Sequence, residues 1–426
     1  MALTSPPMNA PVYLVAGVRT PFTRSGTAYL DLMGYQLGAE AIAGLLRRTA
    51  IDPATVDAVI LGQVLQDVRT SNVAREAALT AGIPAKTPCH TVTQACISAN
   101  QAIADGIRMI RTGEAGLVIA GGVDTASDPP ILFPRAMRRK LLLAQRLRTL
   151  GDRLRLFLSF RPSDFVPQKP AIAEYLTGRV MGEDCELLAG RYQVARAAQD
   201  AFAARSHQLA AKAWEAGHFD ALVTPVKLPE GKTVGKDNGV RGDSSETKLA
   251  RLSPAFDPKG TITAGNATFL TDGAAVTLLA SEQALAAYNL TPLARVVDYV
   301  FTGQDIHEEL LLGPAYAVSR ILQKNNLRFA DVDVIELHEA FAAQVLANMA
   351  ALSQPAFGGT DVLGELPMEK LNLWGGSLAL GHPFGATGAR ILMQTAARLH
   401  AEGGKLGLLA ACAAGGHGHA MLIERV

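Results

Sequence analysis

His90-Thr91-Val92-Thr93-Gln94-Ala95-Cys96-Ile97-Ser98-Ala99-Asn100-Gln101 reads as a strand that hands a cysteine to the mouth of a helix. Val92 lies in a short extended run, and from Cys96 onward Ile103, Ile107 and Ile110 recur at helical spacing with Ala, Ile and Met between them. A helix that is apolar nearly all round is a buried one. At its first turn a thiol meets the positive end of the helix dipole, which lowers a cysteine pKa and raises the thiolate fraction. Cys96 is therefore a candidate nucleophile. A lone cysteine in such a place is more often a small core filler, so the rest of the chain has to decide.

Working outward, β-rich runs alternate with helical ones. Residues 11–18 (Pro-Val-Tyr-Leu-Val-Ala-Gly-Val) read as a strand, about 35–49 as a helix, Ala58-Val59-Ile60-Leu61-Gly62 as a strand, and about 71–81 as a helix. After the Cys96 unit, Ala115-Gly116-Leu117-Val118-Ile119-Ala120-Gly121-Gly122 is a β-branched run closed by glycines. Such alternation implies a mainly parallel sheet covered on both faces. The pattern then recurs: 293–300 matches the first strand, 330–337 echoes 54–61, and 407–416 echoes 116–122. Matches in the same order predict two similarly folded halves facing each other, with function at the seam.

With 426 residues, 49% hydrophobic and 19% charged, the chain can bury a large core in two or three domains. A net charge of +1 gives no overall pull towards nucleic acid. Cys89, Cys96, Cys185 and Cys412 have neither disulfide nor metal-ligand spacing, which fits a reducing cytoplasmic compartment. The N-terminus lacks a basic region, and 12–18 looks like a first strand rather than a secretory leader. Residues 87–104, 371–389 and 406–423 carry no charge, yet Gly, Asn, His and Pro interrupt them, so they read as buried active-site scaffold rather than spans.

An insert over about 125–260 breaks the alternation. Residues 135–161 hold nine Arg or Lys against the single acid Asp152. On a helical wheel Leu143, Leu147, Leu150, Leu154, Phe157 and Leu158 form one stripe, flanked by Arg139, Arg146, Arg148, Arg153 and Arg155. That pattern suits an interfacial helix at a lipid surface, with cations at phosphate level, and suits a partner-binding helix equally, while the charge opposes a helix simply packed on its own domain. Further on, Gly260-Thr261-Ile262-Thr263-Ala264-Gly265-Asn266-Ala267-Thr268 favours close approach of a ligand to backbone, ahead of a helix expected near Asp272-Gly273.

Three later stretches change the weight of Cys96. They are Leu337-His338-Glu339-Ala340-Phe341-Ala342 at a strand exit, the run 372–388 containing Trp374-Gly375-Gly376-Ser377-Leu378 and Gly381-His382-Pro383-Phe384-Gly385-Ala386-Thr387-Gly388, and Ala411-Cys412-Ala413-Ala414-Gly415-Gly416-His417-Gly418-His419. A cysteine with a nearby histidine is an activated nucleophile, since imidazole takes a thiol proton near neutral pH. Gly385-Ala386-Thr387-Gly388 lacks the spacing of a dinucleotide fingerprint. Three ligands at Cys412, His417 and His419 want a fourth, and a metal there would disable an acid/base cysteine.

In this order, these motifs resemble the thiolases over nearly the whole chain, and among them the 3-ketoacyl-CoA thiolase β subunits of fatty-acid oxidation (trifunctional) complexes. The resemblance implies an α/β, five-layered αβαβα fold of two duplicated halves with an inserted loop domain. The expected division is 1–124 plus about 260–285, then 125–259, then 286–426. It implies cleavage of a 3-ketoacyl-CoA by CoA to acetyl-CoA and a shortened acyl-CoA, with CoA as substrate and no tightly bound cofactor or metal. Cys96 would carry the acyl group, His382 would take its proton, Cys412 would protonate the departing enolate, and His338 would hold a water as a donor. The N–H groups of Cys96 and Ala414 would face the other oxyanion. Met181, Ala264, Thr268 and Phe341 would line the pantetheine channel, with Arg241 and Thr247 near the nucleotide. It further implies a homodimer or larger oligomer, an α subunit with hydratase and dehydrogenase activity, and a mitochondrial address if the organism is eukaryotic. Departures are His338 for the commoner Asn, Ala414 for Gly, and Ile97 where smaller residues are usual. The competing functions are biosynthetic formation of acetoacetyl-CoA on the same site, a condensing enzyme of fatty-acid synthesis, which the second cysteine opposes, and a docking subunit without catalysis.

Overall fold

The computed structural model describes residues 10–168 and 173–426; residues 1–9, on which the expectation of no leader rests, and 169–172 of the insert lie outside the described residues. The first half runs β1 (Val12–Arg19), α1 (Gly34–Thr49), β2 (Ala58–Gly62), α2 (Val73–Thr80), β3 (Cys89–Val92), α3 (Ser98–Arg111) and β4 (Leu117–Asp124). All residues of β2 and β4 are buried, because both faces of this part of the sheet are covered. The insert contributes α4 (Arg135–Ala144), α5 (Leu150–Leu158), α6 (Met181–Arg191) and α7 (Arg196–Glu215). After it come β5 (Thr271–Ser281), β6 (Ala294–Gly303), α8 (Gly313–Lys324), β7 (Val334–Leu337), α9 (Ala342–Leu352), α10 (Thr387–Glu402), β8 (Leu406–Ala413) and β9 (His417–Arg425).

The strands follow the path β7-β8-β9-β6-β1-β5-β4-β2-β3. The order β1-β5-β4-β2 is repeated as β6-β9-β8-β7, and the halves join where Tyr13 pairs with Arg295 and Leu14 with Ala294. In each half the β2- and β7-type strands run parallel to their central neighbour, and the chain returns antiparallel through β5 or β9. The place of β3 is taken in the second half by a single parallel bridge, Ile335 to Leu371. Three apolar cores give five layers. Residues of α1 and α2 cover one outer face, α3 and α10 share the middle through Ile103, Ile107, Ile391 and Leu392, and α8 and α9 cover the other outer face.

Four sequence expectations change. The sheet is mixed rather than mainly parallel: the β2–β3, β2–β4 and β7–β8 pairs are parallel, and the other five pairs along the path are antiparallel. The helix expected near Asp272-Gly273 is the long, wholly buried strand β5. The Asp272 carboxylate accepts the N–H groups of Ala126 and Ser127 on another segment, and the Ala-Leu run is held extended between β1 and β4. The basic stripe of 135–161 is split between α4 and α5. Thr149 restarts the helix, its hydroxyl accepting the Asp152 N–H, so Leu147 falls in the turn. The glycine echo is also two residues out of register: Ala58 faces Val118 and Val334 faces Gly407, which makes Val123 rather than Gly121 the counterpart of Cys412. Side-chain direction across the ladder fixes register, and glycine position does not.

The insert is unevenly anchored. Cys185, Leu188, Phe202 and Ala203 of α6 and α7 pack into the core of the second half. By contrast α4 buries only Met137 and α5 buries nothing, leaving Leu150 83% and Phe157 71% exposed. Lys140 pins this hairpin by its ion pair with Asp164 at 2.6 Å.

Candidate active site

Cys96 sits two residues before α3 rather than inside its first turn. The turn is knotted by Ser98, whose hydroxyl accepts the Gln94 N–H at 2.8 Å and donates to the Ala95 carbonyl at 2.7 Å. Ala95 is thereby held at φ +45°, a left-handed conformation that costs a residue with a Cβ about 1–3 kcal/mol. Gly62 lies beneath it, where a Cβ would come 2.5 Å from the Ser98 carbonyl carbon. Strand β2 can approach the nucleophile turn only as glycine.

The electrostatics of Cys96 reverse the sequence expectation of a lowered pKa. Although Cys96 is partly accessible as a residue, its sulfur lies among Ile97, Ala411, Ala413 and Phe301, and loss of water pushes the thiol up to about 11. The Ala414 N–H on the sulfur offsets part of that shift, and the Asp124 carboxylate adds to it. The helix dipole acts too weakly at this offset to overcome desolvation. Cys412, buried near the end of β8, is raised further still by burial and then by the nearby Cys96. Two sulfurs 316 positions apart in sequence thus share one site as neutral thiols.

His338 directly follows β7, with its N–H on the Ala410 carbonyl at 2.8 Å. His382 lies in the loop before α10, with its N–H on Thr271 Oγ1 at 3.0 Å. Their ring centroids are 4.2 Å apart. Thr387 Oγ1 stands 3.0 Å from the Pro383 carbonyl oxygen and 2.6 Å from His382 Nδ1. Two oxygens at that separation need the hydroxyl proton between them, so Thr387 offers His382 only a lone pair. Nδ1 of His382 then carries the ring proton, and Nε2 keeps its lone pair. Burial, aided by the Arg390 charge, pushes His382 down to about 3, and burial with His382 and Arg390 holds His338 well below its ordinary value. Neither Nε2 has a hydrogen-bond partner among the described residues.

Two contacts bring the His382 loop onto the nucleophile turn. The Gly385 N–H donates to Asp124 Oδ2 at 2.6 Å, and Gly388 lies so close to α3 that a Cβ would meet Asn100 Oδ1 at 2.0 Å. Asp124 also accepts from Val64 and Leu65, and burial raises its pKa to about 7. On the other side of the seam, Glu339 accepts from Ser206, Asn372 and Leu378 N–H and fixes the turn after His338. Sequence reasoning missed Asp124, Arg390 and Thr387 as supports. For Asp124 the available signal was a lone acid closing an apolar run; for Thr387 there was none beyond membership of the 381–388 run, and for Arg390 there was none.

Met181, Thr268 and Phe341 fall along one wall. Gly182 packs against Phe256, Phe256 meets Phe341 edge-on at 6.0 Å, and the Thr268 N–H binds the Ala340 carbonyl while its hydroxyl binds the Ser377 carbonyl. Ala264 is exposed at the end of that segment. Arg241 and Thr247 stand apart from the wall and are exposed, Arg241 donating its N–H to His207 Nδ1 at 3.2 Å. His419 is buried with Nδ1 3.0 Å from Asn100 Nδ2, and among the described residues no group of three or more His, Cys, Asp or Glu is arranged to hold a metal ion.

Two copies of one α/β unit meeting over a pair of thiols place the chain among proteins of the thiolase fold. The model of the thiolase N-terminal domain matches residues 12–283, and that of the thiolase C-terminal domain matches residues 290–425. The chain belongs to the thiolase family. It is 48% identical over 419 residues to the mitochondrial trifunctional enzyme subunit beta of Mus musculus, covering 97% of this chain and 88% of that one. It is 44% identical over 420 residues to the 3-ketoacyl-CoA thiolase of Serratia proteamaculans, covering 97% and 96%. Among solved structures, Bacillus anthracis acetyl-CoA acetyltransferase superimposes with a TM-score of 0.85 at 34% identity, covering 98% of this chain and 99% of that one. Human mitochondrial 3-ketoacyl-CoA thiolase does so with 0.84 at 32%, again covering 98% and 99%.

Proposed function

We propose that this chain is a 3-ketoacyl-CoA thiolase of fatty-acid β-oxidation, cleaving 3-ketoacyl-CoA with CoA through an acyl thioester on Cys96. The observation that carries the reading is the seam itself: a thiol under an N–H donor, a second thiol, and a histidine with a free lone pair. Because the Cys96 thiol lies high and His382 low, a free thiolate–imidazolium pair is uphill. Proton transfer to His382 Nε2 therefore accompanies attack of the sulfur on the 3-keto carbon. The N–H groups of Cys96 and Ala414 receive the resulting oxyanion. The C2–C3 bond then breaks, its electron pair forms the acetyl-CoA enolate, and Cys412 supplies the proton to C2. His338, donating directly here rather than through the water that the resemblance implies, and protonated His382 donate to the enolate oxygen. Return of the His382 proton to Cys412 resets both, and His382 next takes the proton of an incoming CoA thiol, which attacks the thioester and releases Cys96 with that proton.

Met181, Ala264, Thr268 and Phe341 form the pantetheine wall in this reading, with Arg241 and Thr247 towards the nucleotide and 125–259 as the loop domain that carries them. CoA enters as substrate rather than as a bound cofactor. The designation of the Mus musculus relative as a subunit supports a partner chain, read here as an α subunit with hydratase and dehydrogenase activity, and a homo-oligomeric core. The site of action is a reducing compartment, mitochondrial if the organism is eukaryotic. No helix among the described residues is long and apolar enough to cross a membrane. The exposed leucines, Phe157 and flanking arginines of 135–161 support a peripheral contact with an anionic lipid surface or with the partner. Thiolysis measured on 3-ketoacyl-CoAs of four to sixteen carbons, with Cys96→Ala as control, tests the reading. Turnover of medium and long chains is expected; activity confined to four carbons would favour the biosynthetic alternative and sink this one.

A further inference from the structure

Ser377 sits where two buried side chains meet. Its Oγ lies 2.7 Å from Arg390 Nη2 and 3.0 Å from His338 Nδ1, and Ser377, His338 and Arg390 are all buried. A guanidinium only donates, so Arg390 takes one lone pair of that oxygen. The hydroxyl keeps its proton, and the acceptor within reach is His338 Nδ1. The reverse arrangement, with Nδ1–H donating to Oγ, strands the hydroxyl proton without an acceptor in a dry interior, which native structures avoid. We infer that Arg390, acting through Ser377, holds His338 in the tautomer whose proton is on Nε2, so that this ring presents an N–H where its neighbour His382 presents a lone pair.

The two histidines each lean on a hydroxyl, and the hydroxyls differ in where their proton goes. Thr387 gives its proton to the Pro383 carbonyl and so accepts from His382. Ser377 receives from Arg390 and so donates to His338. Arg390 is itself braced, with Nη1 3.5 Å from Gln394 Oε1 and 4.0 Å from Glu336 Oε2, and Arg398 shares that Glu336 at 2.8 Å. Burial keeps both rings neutral, and the Arg390 charge adds to it by opposing a second proton on either. The consequence for the reaction, resting on the roles proposed above, is that the thioester oxygen meets an N–H from His338 as charge develops. A lone pair at that place would repel it. Ser377 and Arg390 are thus positioning residues.

Neutron diffraction from a deuterium-exchanged crystal of the full chain reads the tautomer without any variant. Deuterium on His338 Nε2 and on His382 Nδ1 is expected; deuterium on His338 Nδ1 would overturn the inference. Kinetics give an independent arm: Ser377→Ala should lower the thiolysis kcat about 10–100-fold with the KM for CoA within twofold, and Ser377→Thr should recover most of it. A purely structural Ser377 would lower Tm and leave kcat of the folded enzyme unchanged, which would also overturn it. Undiminished kcat in His338→Gln would instead refute the role of His338, while the deuterium position still decides the tautomer.

Discussion

The two halves of this molecule are the same machine fitted differently. In each, the end of the central strand clasps the loop that precedes the other half's buried helix. At the end of β4, the Asp124 carboxylate takes the Gly385 N–H of the loop before α10; just past the end of β8, the Ala414 N–H reaches the Cys96 sulfur before α3. One clasp is a buried carboxylate on backbone and is static. The other is an N–H beside a sulfur and is where, in the proposed reaction, bonds change. The strand ends β2 and β7 differ in the same sense. The first ends in Gly62, kept bare so that the nucleophile turn can lie on it, whereas the residue after Leu337 is His338. Duplication supplied a symmetric frame, and the chemistry lies in the positions where the copies no longer match.

The comparison can be broken in order of expected effect. Removing the reactive clasp's sulfur with Cys96→Ala should cost at least about 10⁴-fold in thiolysis kcat and abolish acyl transfer to the protein; retained turnover would disprove the assignment. Breaking the static clasp with Asp124→Ala strands the N–H groups of Val64, Leu65 and Gly385. A loss of about 2–4 kcal/mol in stability and a fall of tenfold or more in kcat are expected, read by denaturant unfolding and steady-state rates. Asp124→Asn sharpens this through pH. The folded-state pKa of Asp124 is raised to about 7, so between the usual carboxylate range and pH 7 the native state holds a proton that the unfolded state has released. Stability therefore falls as pH rises through that window, by up to about 1.4 kcal/mol per unit, and the variant should lack that slope. Equal slopes in both proteins would refute a buried, titrating Asp124.

A smaller effect separates the dipole expectation from the desolvated thiol. With Cys96 pushed up to about 11, its alkylation by iodoacetamide should keep accelerating from pH 7 to beyond pH 9. A plateau near pH 7 would restore the low-pKa nucleophile. Smallest for catalysis is the insert: replacing Arg146, Arg148, Arg153 and Arg155 by Glu should abolish sedimentation with anionic vesicles and leave turnover of short substrates within twofold. Unchanged sedimentation would exclude the lipid contact.

Much of the fold was legible because apolar runs and their order survive duplication: 12–18, 58–62 and 117–122 all read as the strands they are. Residues 271–281 misled because their Ala and Leu residues carry helical propensity, and burial between two strands overrides propensity. The four side chains proposed to react were legible as motifs, since each lies in or beside a run of small residues. Their ionisation was not, because the Cys96 shift depends on how much water β8 and Phe301 exclude, which no local pattern encodes. Nor was the exchange of clasps, since Asp124 and Gly385 are brought together only by the closing of the seam.

The most direct measurement is to trap the acyl group. The full chain is mixed with a 3-ketoacyl-CoA in the absence of CoA, quenched in acid, digested and analysed by mass spectrometry. The account predicts one acyl group on the peptide holding Cys96, released by added CoA and absent from Cys96→Ala. An acyl group on Cys412 or Cys89, or none on any cysteine during turnover, would contradict it.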